Sequence, residues 1–118
     1  MVNCHMSDGI FVLQFAGEIN INSLTEARSK VESYKLQQHD KVIIDLSKVS
    51  FFDSSGLGYL VVLIKQVKDN KGAIVFCEPS NLVKRLLSAR KIDKYVTIYD
   101  TNQEALNYFR ERGAPAST

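Results

Sequence analysis

The chain has 118 residues, with 15 Lys and Arg against 13 Asp and Glu, two Cys, two Pro and no Trp. That length suits one domain and leaves little for a second, and 45% apolar with 24% charged residues excludes a disordered or low-complexity chain. A formal charge of +2 excludes a strongly basic nucleic-acid binder unless the cations cluster.

In chain order, residues 2–5 and 10–15 read as two short strands, joined by a hairpin turn at Ser7-Asp8-Gly9. From Ser23 onward, Leu24, Ala27, Val31 and Tyr34 recur on one helical stripe, and Glu26 stands three positions after Ser23 as in a capping box. Residues 42–46 form the next strand. A second helix starts near Ser54 or Ser55 and runs to about Asn70, where Lys71-Gly72 ends it. Residues 73–76 are a strand, and 79–90 a helix with Pro79 in its first turn. Residues 95–98 are the last strand. The last helix begins at Thr101, with Glu104 at the capping-box position and Ala105, Leu106 and Phe109 inward.

The strands from residue 42 onward are almost continuously apolar, as expected of strands covered on both faces. The order predicts a single α/β domain over residues 1–112, a mixed four- to five-stranded sheet with about four helices packed on it. Residues 113–118 read as a flexible C-terminal tail.

Cys4 and Cys77 make neither a disulfide framework nor a metal quartet, and Cys77, closing Ala-Ile-Val-Phe-Cys, is expected to be a buried reduced thiol. The first 30 residues lack a continuous apolar signal-peptide core, and the longest nearly apolar stretch, 57–64, is far short of a membrane span. A cytoplasmic protein is expected, with no cofactor, no metal, no nucleic acid and no membrane partner.

Enzyme motifs fail one by one. There is no phosphate-binding P-loop, Gly56-Leu57-Gly58 lacks the third glycine of a dinucleotide fingerprint, and Ser54-Ser55-Gly56 does not fit a nucleophile elbow. His5 and His39 are isolated and read as surface residues. Asp53 follows a strand, but a phosphate-accepting aspartate needs companion carboxylates to hold Mg²⁺. Residues 16–22 offer only Glu18, and Tyr99-Asp100 brings no lysine. No catalytic residue is expected.

The informative stretch is Ser50-Phe51-Phe52-Asp53-Ser54-Ser55-Gly56-Leu57-Gly58. Its plain reading is a helix start capped by Asp53, Ser54 or Ser55. Two glycines in a first helical turn cost roughly 1 kcal/mol each, which a chain tolerates where another backbone approaches closely. The helix is apolar on two sides: Leu57, Leu60, Val61, Ile64 and Val67 on one, Tyr59, Val62 and Leu63 on another. Deep burial and a partner-binding patch fit that pattern equally.

Asp-Ser-Ser-Gly-Leu-Gly at 53–58, preceded by Val-Ile-Ile-Asp-Leu-Ser-Lys-Val-Ser at 42–50, resembles the STAS domain of bacterial anti-sigma factor antagonists. The resemblance extends through Gly17-Glu18-Ile19 and Pro79-Ser80-Asn81-Leu82-Val83-Lys84-Arg85-Leu86-Leu87 and covers about residues 8–110. It implies a protein switch rather than an enzyme. Ser54 would be phosphorylated by an anti-sigma factor with serine kinase activity, and a PP2C-type phosphatase would restore the binding form.

By the same resemblance, Asp53, Ser55, Gly56 and Asn20 support the loop. The partner surface is expected from Ile19, Asn20, Asn22, Ser23, Leu57, Gly58, Tyr59, Lys84 and Arg85, on a monomer or weak dimer. One position departs from the family: Gly17-Glu18-Ile19-Asn20 carries an amide where antagonists usually have Asp. A STAS scaffold or sensor without a phosphorylation cycle, and a soluble regulatory subunit of a transport system, are the alternatives. Lys84, Arg85, Arg90, Lys91 and Lys94 otherwise read as a solvated basic face. Tyr95, Tyr99, Tyr108 and Phe109 read as core or edge packing, and Ser117 and Thr118 as poor rival phosphosites.

Overall fold

The computed structural model describes residues 1–112; the tail expected at 113–118 lies outside them. Two strands, β1 (Val2–Ser7) and β2 (Ile10–Ile19), open the chain as an antiparallel hairpin. Asp8 and Gly9 both have positive φ, 53° and 79°, the conformation of the tight two-residue turn whose twist matches paired strands. There follow α1 (Leu24–Ser33), β3 (Lys41–Phe52), α2 (Ser54–Asp69), β4 (Ala73–Cys77), α3 (Asn81–Ala89), β5 (Thr97–Tyr99) and α4 (Asn102–Arg112). Short 3-10 turns at Leu36–Gln38 and Ile92–Lys94 lead into β3 and β5.

The sheet runs in sequence order, β1-β2-β3-β4-β5, with every pair after the hairpin parallel. Three successive crossovers therefore step in the same direction. Because such crossovers are right-handed, they place their helices on one face. The packing agrees: Leu24, Ala27 and Val31 of α1, Leu60, Leu63 and Val67 of α2, and Val83 and Leu87 of α3 share one core with Phe11, Leu13, Val42, Ile44 and Phe76. α4 covers the other face, where Ala105, Leu106 and Phe109 meet Ile10, Val12, Ile43, Val75 and Cys77. Cys77 is fully buried, and burial, with the Asp45 and Glu78 carboxylates, pushes its thiol up to about 12.

Several element bounds differ from the sequence expectation, each for a local reason. β3 continues to Phe52 instead of ending at 46, and β2 continues to Ile19 instead of 15. The pairing slips between Gln14 and Ala16 and again between Gly17 and Glu18, each time with an extra residue on β3. Such bulges break the two-residue alternation by which a strand is recognised. α3 starts at Asn81, because Ser80 caps it by accepting from the Val83 amide at 3.1 Å, which leaves Pro79 outside. β5 lies two residues later at its start than expected, since Ile92–Lys94 forms a 3-10 turn; Tyr95 is 62% exposed and is not core packing.

Candidate functional site

The extension of β2 and β3 past the other strands builds the site. Ile19 pairs with Phe52 at the end of both strands, so the chain leaving β2 and the chain entering α2 lie side by side. Asp53 joins them. Its Oδ1 accepts from the Gly56 amide at 2.9 Å as the cap of α2, and its Oδ2 accepts from the Ile21 amide at 3.0 Å. Its own amide donates to the Ile19 carbonyl at 3.1 Å, and its carbonyl accepts from Leu57 at 2.9 Å. The amides of Gly56 and then Ile21 hold the carboxyl below the ordinary value of 3.8. Of the three capping candidates, Asp53 is therefore the one that caps.

With Asp53 as cap, Ser54 is the first residue of α2 and is exposed, while Ser55 is half-buried. The two glycines differ. A methyl group at Gly56 would collide with the Ile19 carbonyl oxygen and lie 2.9 Å from Phe52 Cδ1, whereas one at Gly58 would meet nothing within 4 Å. Close approach of another backbone thus explains Gly56 alone. Gly58 is exposed and leaves bare backbone on the surface.

Asn20 is braced inside the neighbouring loop. Its Oδ1 accepts from the amides of Asn22 at 2.9 Å and Ser23 at 3.1 Å, and its Nδ2 donates to Glu18 Oε2 at 3.3 Å. Its carbonyl accepts from Leu24 at 2.8 Å. Asn20 thereby does the work that the capping-box reading gave to Ser23. Ser23 makes no capping bond: its hydroxyl donates back to the Glu18 carbonyl at 2.8 Å and accepts from the Asn20 amide at 3.0 Å. Only an acceptor is needed at the Asn20 oxygen, which Asn and Asp both supply. The Asn20 amide adds a donor to Glu18, where Asp would set two carboxylates together.

The expected partner surface divides in two. Asn20, Asn22 and Ser23 line the loop beside Asp53, and Gly58 is open on α2. Ile19, Leu57 and Tyr59 are in the core and present no surface to a partner. Tyr59 is held by burial with its hydroxyl at about 12 despite Arg28, whose guanidinium lies 5.3 Å from the ring centre. Lys84 and Arg85 are exposed on α3, but Lys84 pairs with Asp100 at 3.0 Å, just after β5. Tyr99 is level with Cys77 and Cys77 with Asp45, while Ser54 follows Phe52. The pairing of Lys84 with Asp100 thus lies near the level of Asp45, and β3 runs on through Phe52 before Ser54 begins α2.

Two exposed apolar residues at the site were absent from the sequence-based set. Ile21 is 66% exposed in the loop whose amide Asp53 holds, and Val62 is 45% exposed on α2. Ser54, Gly58 and Val62 are spaced four apart and form one exposed stripe along α2. Helical spacing could have found Val62, taken with the burial of Leu60, Leu63 and Ile64 on the opposite side. For Ile21 there was no signal, because its exposure depends on the neighbouring chain end.

The sequence model of the STAS domain family matches residues 2–105. A Thermotoga maritima protein is 29% identical over 106 residues, covering 89% of this chain and 94% of its own length. The crystal structure from that organism superposes with a TM-score of 0.85 at 29% identity, over 92% of this chain and 94% of that one. The anti-sigma F factor antagonist of Paenibacillus polymyxa is 27% identical over 99 residues, 83% of this chain and 85% of its own. The anti-sigma factor antagonist SpoIIAA in its unphosphorylated form has the same fold, with a TM-score of 0.73 at 22% identity over 96% and 97% of the two chains. Among the described residues, no helix is long and apolar enough to cross a membrane, and no cluster of His, Cys, Asp and Glu could hold a metal ion.

Proposed function

The chain belongs to the STAS domain family, and from that premise we propose that it acts as an anti-sigma factor antagonist switched at Ser54. In this reading the unmodified protein binds an anti-sigma factor with serine kinase activity and frees the sigma factor. Phosphorylation of Ser54 ends the binding, and a PP2C-type phosphatase restores it. Support comes from relatives that carry the antagonist name over most of this chain, such as the Paenibacillus polymyxa protein. The observation that carries the reading is the exposure of Ser54 at the first position of α2, released from capping by Asp53.

The physical consequences follow from that position. A phosphate on Ser54 adds about −1.5 to −2 charge and three acceptor oxygens. Within the domain, that charge lies at the positive end of the α2 dipole, which favours it, beside the Asp53 carboxylate that already holds the Gly56 amide. At a protein interface covering Ser54, Gly58 and Val62, the same dianion must be desolvated beside apolar and bare backbone surface, which opposes association. A loss of about 3 kcal/mol weakens binding by more than a hundredfold. The switch excludes the partner and leaves the fold as it is.

A scaffold without a phosphorylation cycle is the second reading, favoured by the amide at Asn20, which brings no negative charge to the loop. Reconstitution with a candidate anti-sigma factor kinase and Mg-ATP, read by mass spectrometry, separates the two. The switch requires one phosphate at Ser54, lost in Ser54→Ala and retained in Ser55→Ala. Stable binding with no phosphate incorporated would support the scaffold.

A further inference from the structure

Among the described residues the sheet ends in two edge strands, β1 and β5, and they differ in how they are protected. β5 is three residues long and is followed by Asp100, ion-paired to Lys84. β1 is six residues, Val-Asn-Cys-His-Met-Ser, without Pro, Gly, Lys, Arg, Asp or Glu. Short length, charge and proline are the features that keep sheet edges from pairing, and β1 has none of them.

The hairpin register shows which backbone groups that edge presents. Ser7 and Ile10 flank the two-residue turn, and in such turns the flanking residues exchange both hydrogen bonds. The alternation continues to the far end, where the Ala16 amide donates to the Met1 carbonyl at 2.9 Å and the Met1 amine to the Ala16 carbonyl at 3.2 Å. Asn3, His5 and Ser7 therefore bond to β2. The N–H and C=O groups of Val2, Cys4 and Met6 point away from it.

We propose that this edge pairs with the same edge of a second copy of the chain, antiparallel and centred on Cys4, joining the two sheets into one. In that register Cys4 faces Cys4 of the second copy, Val2 faces its Met6, and Asn3 faces its His5. All three outward N–H groups and all three outward carbonyls of each strand find partners. Sliding the strands to the next bonding register on either side uses only two residues of each. No charge opposes a like charge, and each His5 meets an amide instead of the other His5.

The side chains fit the same arrangement. Val2, Cys4 and Met6 lie on the face that packs α1, α2 and α3. Val2 is buried there, while Met6 is 54% exposed and would be covered beside Val2 of the second copy. One pair of short strands buries far less than the roughly 1,600 Å² of a stable interface, so the dimer is reversible and fills at high protein concentration. The edge belongs to β1, not to the Ser54 site, and the inference does not depend on the switch proposed above.

Amide hydrogen exchange by NMR at increasing protein concentration, alongside sedimentation equilibrium, tests the pairing. The amides of Cys4 and Met6 are expected to exchange fast in dilute solution and to slow as the mass rises toward twice that of the chain. Those of Asn3 and His5 stay protected throughout. Met6→Lys, at an exposed position, should weaken association at least tenfold with an unchanged amide spectrum elsewhere, and Met6→Leu should preserve it. A mass that stays monomeric to about 1 mM, or a dimer whose protection falls outside β1, overturns the proposal.

Discussion

Asp53 ties two chain ends together through its two carboxylate oxygens, one on the cap of α2 and one on the loop after β2. Its amide contacts favour the ionised form, so its folded-state value is lowered from 3.8. The contribution to stability is complete above that ordinary value and is lost as pH falls through the lower, folded one. Thermal melts between about pH 5 and pH 2 should show this acid limb, and Asp53→Asn should flatten it. The glycines give a second test at the same scale. Gly56→Ala forces a methyl group onto the Ile19 carbonyl and should cost about 1–3 kcal/mol. Gly58→Ala, in open space within the same helix, should stabilise by about 0.5–1 kcal/mol. Urea denaturation of both variants reads the opposite signs.

Whether an element could be read from sequence depended on whether its pattern was local. The capping box of α4 was legible because all its atoms lie within four residues. The Glu104 amide donates to Thr101 Oγ1 at 3.1 Å, and Glu104 Oε1 accepts from the Thr101 amide at 3.1 Å. Thr101→Ala should lower stability by about 1 kcal/mol in the same denaturation assay. The similar spacing of Ser23 and Glu26 misled, because a helical turn begins earlier there, at Asn20, and Ser23 is drawn back to Glu18. β3 was half legible: residues 42–46 are a continuous apolar run, but the bulged continuation through Ser47, Lys48 and Ser50 has no regular period. That unreadable half positions the site, since it carries Asp53 and Ser54 beyond the level of β4 and β5.

At the scale of the molecule, the sequential strand order sends α1, α2 and α3 to one face and leaves α4 to cover the other. At the start of α2, beyond the end of the longest strand, Gly56 and Leu57 turn inward while Ser54 is exposed. A charge placed there should not disturb packing. Ser54→Asp is expected to keep the melting temperature within a few degrees of the parent, while weakening binding to the anti-sigma factor more than a hundredfold by calorimetry. A large loss of thermal stability would instead give Ser54 a structural role.

Length, composition and a small net charge pointed to one globular domain without a strongly basic character. The run from Asp53 to Gly58, with 42–50, 17–19 and 79–87, carried the resemblance to the family, and the start of α2 was legible because capping is written in adjacent residues. Tertiary structure decided the rest. It chose Asp53 over two serines as the cap, since only Asp53 also meets the Ile21 amide across the strand ends. It withdrew Ile19, Leu57 and Tyr59 from the surface and put Ile21 and Val62 on it. Burial depends on what packs opposite a residue, and Ile19 is met by Phe52 and Gly56 from a later part of the chain.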